Sequence, residues 1–245
     1  MKRIIAGRRA VAEALRGQGE VSVVYAEEPD DRALSELRDL AQKSKVRIEE
    51  STRGALDALT EGVRHQGVVA ITGAYPYRDL HQLLQEAGDA PLFVALDQIT
   101  DPHNFGAIVR SAVAFGARGV ITTKDRCAPV TPVVVRASAG ATEHLPIARV
   151  TNLARTLGTL TEDGFEVIGL AGEATTTISE LGAPGPGGRI IVIGSEGKGL
   201  RRLTRRACAH LVRIEMGETI GSLNASVAAG IALYALGKSQ QEGAA

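Results

Sequence analysis

Three glycine-bearing segments in the C-terminal two-thirds of the chain carry side chains of the types that bind or activate a ligand: Asp101–Ala112 (DPHNFGAIVRSA), Ile193–Leu200 (IGSEGKGL) and Ile220–Ala228 (IGSLNASVA). Each follows a run that reads as a β-strand, and open α/β sheets bind ligands beyond the carboxyl ends of their strands. Two common phosphate-binding readings fail on spacing. For a P-loop through Gly197-Lys198, the earlier glycine would fall at Val192, and Gly199 stands where Ser or Thr is needed. For a dinucleotide fingerprint starting at Gly197, the third glycine would fall at Arg202, and no acidic ribose ligand is placed. Triphosphate hydrolysis and nicotinamide chemistry are therefore disfavoured.

Around these glycines stand polar groups of complementary capacity. Asn104, Ser222 and Asn224 bring amides and a hydroxyl, Glu196 a carboxylate, and Arg110 a permanently charged guanidinium. Arg110 lies six residues after Asn104 on a helical stretch, so the two need not share a face, and Asn104 is expected at the N-cap. Ser222 reads equally as the cap of the next helix or as a group holding a substrate hydroxyl. A lone His103 beside a turn reads as structural. Arg201, Arg202, Arg205 and Arg206 form either a phosphate grip or a solvated helix face.

Taken together and in this order, the three segments resemble the motifs of the SpoU (TrmH) family of RNA 2'-O-ribose methyltransferases in the SPOUT superfamily. The stretch from Gly7 to His65-Gln66-Gly67 is similar to the substrate-binding domain of members that methylate guanosine in ribosomal RNA, so the resemblance covers nearly the whole chain. It implies S-adenosylmethionine as cofactor, cradled by Gly194, Gly197, Ile214, Met216 and Leu223, with Asn104, Arg110, Glu196, Ser222 and Asn224 as the catalytic group. It further implies an L30e-like N-terminal domain, an α/β-knot domain whose last segments form a trefoil knot, and a homodimer built on the knotted domains. The implied target is a guanosine of 23S rRNA or of a precursor of the large ribosomal subunit, and His65 then belongs to the N-terminal fold or to RNA contact. The family places Arg110 on the target nucleotide, helping to deprotonate the 2'-hydroxyl. A guanidinium has a pKa above about 12, so positioning a phosphate and stabilising a developing alkoxide is physically easier than acting as a literal base. Two rivals stand beside this reading. One is an enzyme acting on transfer RNA or of the resistance type; the other is a non-catalytic RNA-binding ribosome-assembly protein, disfavoured by the retention of all five polar residues.

The elements that must position these groups read as α/β throughout. Helices are expected over Ala10–Leu15 and Asp31–Lys43, where Leu34, Leu37, Leu40 and Ala41 recur at helical spacing, and strands over Val21–Tyr25, Val46–Ile48 and Val68–Ile71. Gly73-Ala74-Tyr75-Pro76-Tyr77-Arg78 breaks the periodicity, giving an RNA substrate-binding domain at 1–72, a linker at 73–90 and a methyltransferase domain at 91–245. In the latter, strands at Leu92–Leu96, Gly119–Thr122, Glu166–Leu170, Ile190–Ile193 and Leu211–Ile214 alternate with helical stretches, the pattern of a largely parallel sheet. Gly182–Gly188 reads as an exposed turn. The last helix is expected from Leu223 to Leu236, capped by Gly221-Ser222 and closed by Gly237.

Composition agrees with that class. Aromatics make up 3% of the 245 residues and Trp is absent, so the core must be Val, Ile, Leu and Ala. A formal net charge of +0 means that affinity for RNA must come from local basic patches. Cys127 and Cys208 have no Cys or His at metal spacing; neither a metal site nor a disulfide is expected, and both read as buried small residues. No apolar run reaches the roughly eighteen residues of a membrane span, and the expected location is the cytoplasm.

Overall fold

The computed structural model describes residues 3–17, 20–217 and 221–242. In chain order the first elements are β1 (Arg3–Ala6), α1 (Arg8–Arg16), β2 (Val21–Ala26), α2 (Ser35–Lys43), β3 (Ile48–Glu50), α3 (Arg53–Thr60), β4 (Val68–Thr72) and α4 (Leu80–Gln85). There follow β5 (Leu92–Asp97), α5 (Pro102–Ala114), β6 (Gly119–Thr123), α6 (Pro132–Ala137), β7 (Ile147–Val150), α7 (Leu153–Glu162) and β8 (Glu166–Leu170). The chain then runs through β9 (Thr176–Thr177), β10 (Arg189–Gly194), α8 (Arg202–Ala207), β11 (His210–Arg213) and α9 (Ala225–Glu242). Two compact units result, one of residues 1–76 with 129–144, the other of residues 77–128 with 145–245.

The first unit is built on a sheet in the order β1-β4-β2-β3, with β4 antiparallel to both β1 and β2, and β3 parallel to β2. β4 is buried along its whole length, and α1 turns Ala10, Val11, Ala14 and Leu15 inward. The excursion 129–144 belongs to this unit because a buried ion pair ties it there. Arg3 donates from Nη1 and Nη2 to the two oxygens of Glu143 at 2.7 and 3.0 Å, and from Nε to Thr72 Oγ1 at 3.1 Å. Tyr75 stacks over the same guanidinium at 5.1 Å. Gly140 admits α1 closely: a Cβ there would lie 2.6 Å from that of Glu13.

The second unit carries a seven-stranded sheet in the order β7-β6-β5-β10-β8-β11-β9, every described pairing parallel. The α/β class with a mostly parallel sheet is thus the observed one. β5 and β6 are buried at every residue, as parallel strands covered on both faces must be, and the core between them is aliphatic apart from phenylalanines such as Phe93. β10 enters late in the chain yet lies between the earlier β5 and β8, which brings its end, Gly194, beside Asp97.

Several local expectations are corrected. The strand placed at Val46–Ile48 lies at Ile48–Glu50, because Val46 N–H is taken by Ala41 O at the end of α2. The segment 73–90 includes α4, capped by Asp79, and the unit boundary follows Pro76. Gly237 does not close the last helix, which runs on to Glu242; a Cβ at this position would lie 2.8 Å from Phe115 O, so the glycine is needed where α9 crosses the end of α5. Both cysteines are free and half-buried, and burial pushes the Cys208 thiol up to about 12. A knot depends on the path between β11 and α9, and residues 218–220 there lie outside the described residues.

Removing Glu143 would leave the Arg3 charge buried, a loss typically of about 3–5 kcal/mol. Glu143→Ala is expected to show it as a lowered urea midpoint, and adding Arg3→Met should recover much of the deficit; equal midpoints for wild type and Glu143→Ala would mean that the pair does not anchor 129–144.

Candidate active site

The geometry starts at the carboxyl ends of β5 and β10. Asp97, the last residue of β5, is fully buried, and a buried carboxylate must be paired. Its Oδ2 accepts the Arg201 backbone N–H at 2.8 Å and its Oδ1 the Arg201 Nε–H at 2.6 Å, fixing the far end of the loop that leaves β10. At the near end, Ser195 and Gly199 exchange backbone hydrogen bonds at 3.2 and 2.8 Å, folding residues 194–200 back on themselves. A Cβ on Gly194 would lie 2.3 Å from the Gly199 carbonyl carbon, so glycine is demanded there by the loop's own close approach. Gly197 and Gly199, at φ +73° and +61°, take the left-handed turns that glycine adopts without strain.

This loop presents Glu196 to two other parts of the chain. Asn104 Nδ2 donates to Glu196 Oε1 at 2.8 Å, Asn224 Nδ2 donates to the same oxygen, and Asn224 Nδ2 also reaches Asn104 Oδ1 at 3.0 Å. Asn224 meanwhile caps α9, its Oδ1 accepting from Ser226 N at 2.9 Å and Val227 N at 3.3 Å. The expected caps are therefore displaced. Asp101 caps α5 through His103 N at 3.0 Å, which leaves Asn104 inside the first turn and free to bond Glu196. Ser222, three residues before α9, is exposed and makes no side-chain hydrogen bond among the described residues.

Beside the triangle opens a cavity of about 510 Å³ bounded by the ends of β8, β10 and β11 and the start of α9. The five cradle positions, Gly194, Gly197, Ile214, Met216 and Leu223, all line it, as do Glu196 and Ser222. Its size is that of a small-molecule site, and its walls combine apolar side chains with exposed glycine backbone, which suits a nucleoside carrying polar edges. Among the described residues no group of His, Cys, Asp and Glu is placed to hold a metal.

Arg110 stands apart. It is exposed, has no hydrogen bond or ion pair among the described residues, and lies about 120° around α5 and ~9 Å along it from Asn104. The arginine cluster divides: Arg201 holds Asp97, Arg205 pairs with Glu173, and Arg202 and Arg206 are exposed. His103 is exposed, whereas His65 is buried in the first unit, donating from Nε2 to Asp57 at 3.0 Å and accepting Gly67 N–H on Nδ1 at 3.1 Å. Sequence reasoning missed Asp97 and Glu173. Asp97 had one signal, an acid closing an otherwise apolar strand; Glu173 follows the glycine after β8 and lines the cavity, its carboxyl held below the usual value by its backbone amide and by Arg205.

Comparison with known proteins gives the arrangement its family. Residues 91–234 match the SpoU rRNA Methylase family, and residues 4–78 match the domain described as RNA 2'-O ribose methyltransferase substrate binding. The chain belongs to the SpoU rRNA methylase family. It is 44% identical, over 85% of its length and 84% of the other's, to the 23S rRNA (guanosine-2'-O-)-methyltransferase RlmB of Pseudomonas syringae pv. tomato. It is 40% identical to the putative TrmH family tRNA/rRNA methyltransferase YacO of Bacillus subtilis, covering 94% and 93% of the two chains. Among solved structures, the SpoU methyltransferase AviRb from Streptomyces viridochromogenes, in complex with the cofactor AdoMet, superposes with a TM-score of 0.81 at 25% identity, covering 98% of this chain and 91% of that one. The three segments that resemble SpoU motifs all lie within the matched 91–234 and meet at Glu196.

Gly194→Ala forces the loop away from Leu200, an overpacking of about 1–3 kcal/mol. Calorimetry is expected to show S-adenosylmethionine affinity reduced about tenfold or more, with secondary structure intact; wild-type affinity would separate the loop's shape from the cavity's use.

Proposed function

We propose that this chain transfers a methyl group from S-adenosylmethionine to a ribose 2'-hydroxyl of RNA, a guanosine of 23S rRNA being the target, and that it works in the cytoplasm as a homodimer. The observation that carries the reading is the convergence of Asn104, Glu196 and Asn224 on the rim of a nucleoside-sized cavity at the strand ends. The named substrate of the RlmB relative supports the choice of RNA, and the AdoMet complex of AviRb supports the cofactor. Bound in the cavity, the cofactor would supply an electrophilic methyl group on a sulfonium. Gly194 and Gly197 would meet it with backbone, Ile214, Met216 and Leu223 with apolar surface. No helix among the described residues is long and apolar enough to cross a membrane.

The chain's own groups then have separable tasks. Glu196, fixed by two amides, keeps one oxygen, Oε2, outside that pairing and able to accept from a ribose hydroxyl. Ser222, on the cavity wall and without a side-chain hydrogen bond among the described residues, can hold the attacking hydroxyl in near-attack geometry. Arg110 offers a guanidinium that has no partner among the described residues, suited to a substrate phosphate and to charge developing on the 2'-oxygen. Target choice falls to the first unit and chemistry to the second, which holds all five candidate catalytic residues. The homodimer is supported by an exposed apolar face on α5 and α9 that includes Val113, Val227 and Ile231.

An interaction made mainly in the transition state lowers turnover when removed and spares ground-state binding. Arg110→Ala is expected to slow single-turnover methylation about a hundredfold or more while leaving cofactor affinity nearly unchanged. Arg110→Lys keeps the charge but loses the planar fork and should stay strongly impaired. Near-normal rates for both, at saturating RNA and cofactor, would reduce Arg110 to a solvated helix arginine.

A further inference from the structure

Five charged side chains line the catalytic cavity: Glu173, Glu196, Lys198, Arg205 and Arg213. Of the two carboxylates, Glu196 is held by the amides of Asn104 and Asn224. Glu173 stands elsewhere on the wall, three residues past β8, and pairs with Arg205 of α8. Its side chain is 63% exposed, so the carboxylate faces the open space of the cavity rather than the core. Arg205 engages Oε1, and no other residue among the described ones donates to Oε2.

The turn that carries Glu173 is fixed by its neighbours. Ala171 N–H donates to Val212 O of β11 at 2.9 Å, and Ala174 N–H donates to Ala171 O at 3.0 Å. Gly172 comes near the segment ahead of α9: a Cβ there would lie 3.8 Å from Gly221 O. A side chain on such a turn needs little ordering when a ligand arrives. Its own backbone amide and Arg205 hold the Glu173 carboxyl below the usual carboxylate range, so it is ionised at neutral pH and can only accept hydrogen bonds.

We infer that Glu173 is the ribose ligand of the cofactor site, its Oε2 accepting from the vicinal 2'- and 3'-hydroxyls of S-adenosylmethionine while Arg205 donates to the same diol. The inference rests on the methyltransferase reading above and deepens it, adding a polar side chain to a cradle of backbone and apolar surface. The cofactor's cations are poorer partners. Arg205 already offsets the charge of Glu173, and an ammonium brought to that carboxylate would meet the guanidinium as well. Adenine is poorer too, because its N6 amino group lies beside the acceptors N1 and N7. Backbone amides and carbonyls of the glycine walls match such mixed edges, whereas a carboxylate matches only the donor. A vicinal diol presents two O–H donors side by side with lone pairs behind them, so one carboxylate and one guanidinium satisfy it together. Dinucleotide-binding sheets likewise meet ribose hydroxyl with an acidic side chain.

The test is calorimetry on the full chain with S-adenosylhomocysteine, its 2'-deoxy and 3'-deoxy forms, and 5'-methylthioadenosine. The ribo form is expected to bind about tenfold or more tightly than either deoxy form, the usual effect of losing a hydrogen bond to a charged group. Glu173→Ala should weaken S-adenosylhomocysteine by a similar factor and bring its ratio to the deoxy forms close to one, because the hydroxyls have lost their acceptor. A side chain that merely supports the cavity would instead weaken every ligand alike and keep the wild-type ratio, which overturns the assignment. 5'-Methylthioadenosine keeps the diol but lacks the amino-acid tail, and should lose as much affinity in the variant as S-adenosylhomocysteine. If only the tailed ligand responds, Glu173 reads the ammonium and the diol assignment falls. Equal wild-type affinity for ribo and deoxy forms overturns it without any variant. A ribo preference in a chain that transfers no methyl group to RNA would overturn the proposed function and leave the ribose ligand standing, and a chain that binds none of the four ligands overturns both.

Discussion

One carboxylate oxygen organises the second unit. Glu196 Oε1 takes an amide N–H from Asn104 and another from Asn224, residues separated from it by 92 and 28 positions of chain. Both donors stand in the first turn or at the cap of a helix, α5 and α9, so the carboxylate faces two helix N-termini, each favouring a negative charge by about 0.3–1 kcal/mol. A charge-assisted bond is shorter and stronger than one between neutral groups. The loop after β10 is thereby held at its middle, as Asp97 and Arg201 hold its end.

The rest follows from that clamping. Because the loop is pinned at both places, it doubles back tightly enough that Gly194 touches Gly199, and the space it vacates beside β8 and β11 becomes the cavity. Because Asn224 spends its carbonyl on α9 and its amide on Glu196, the start of the last helix is tied to the loop after β10. The first unit uses the same device with opposite sign: a buried guanidinium, Arg3, satisfied by Glu143, draws a distant excursion of chain against its sheet. At Arg3 and at Asp97 a desolvated charge that must be paired decides which remote segments meet.

Much of this was legible in the sequence, and the gaps have physical causes. The apolar runs of β5, β6, β8 and β10 announced a parallel sheet, since strands buried on both faces admit little else. The three motifs announced the segments that meet at Glu196, because their order and spacing are specific. Caps were misjudged where several capping residues stand close together: Asp101 and Asn104, or Gly221, Ser222 and Asn224, each satisfy the local rule, and tertiary partners alone decide among them. Gly237 reads as a helix stop by propensity, but its missing Cβ serves a crossing with Phe115. The placement of 129–144 depends on a pair 140 residues apart, and Asp97 on a partner 104 residues away; neither leaves a trace in local pattern.

The most direct test of the Glu196 junction is a double-mutant cycle between Glu196→Ala and Asn224→Ala, read as single-turnover methylation of RNA after the fold has been confirmed. Groups that act as one junction should show strongly non-additive losses, with a coupling of about 0.5–3 kcal/mol, because the first substitution already releases the loop from α9. Losses that simply add would mean that Glu196 and Asn224 serve the reaction separately, and that the junction does not organise the site.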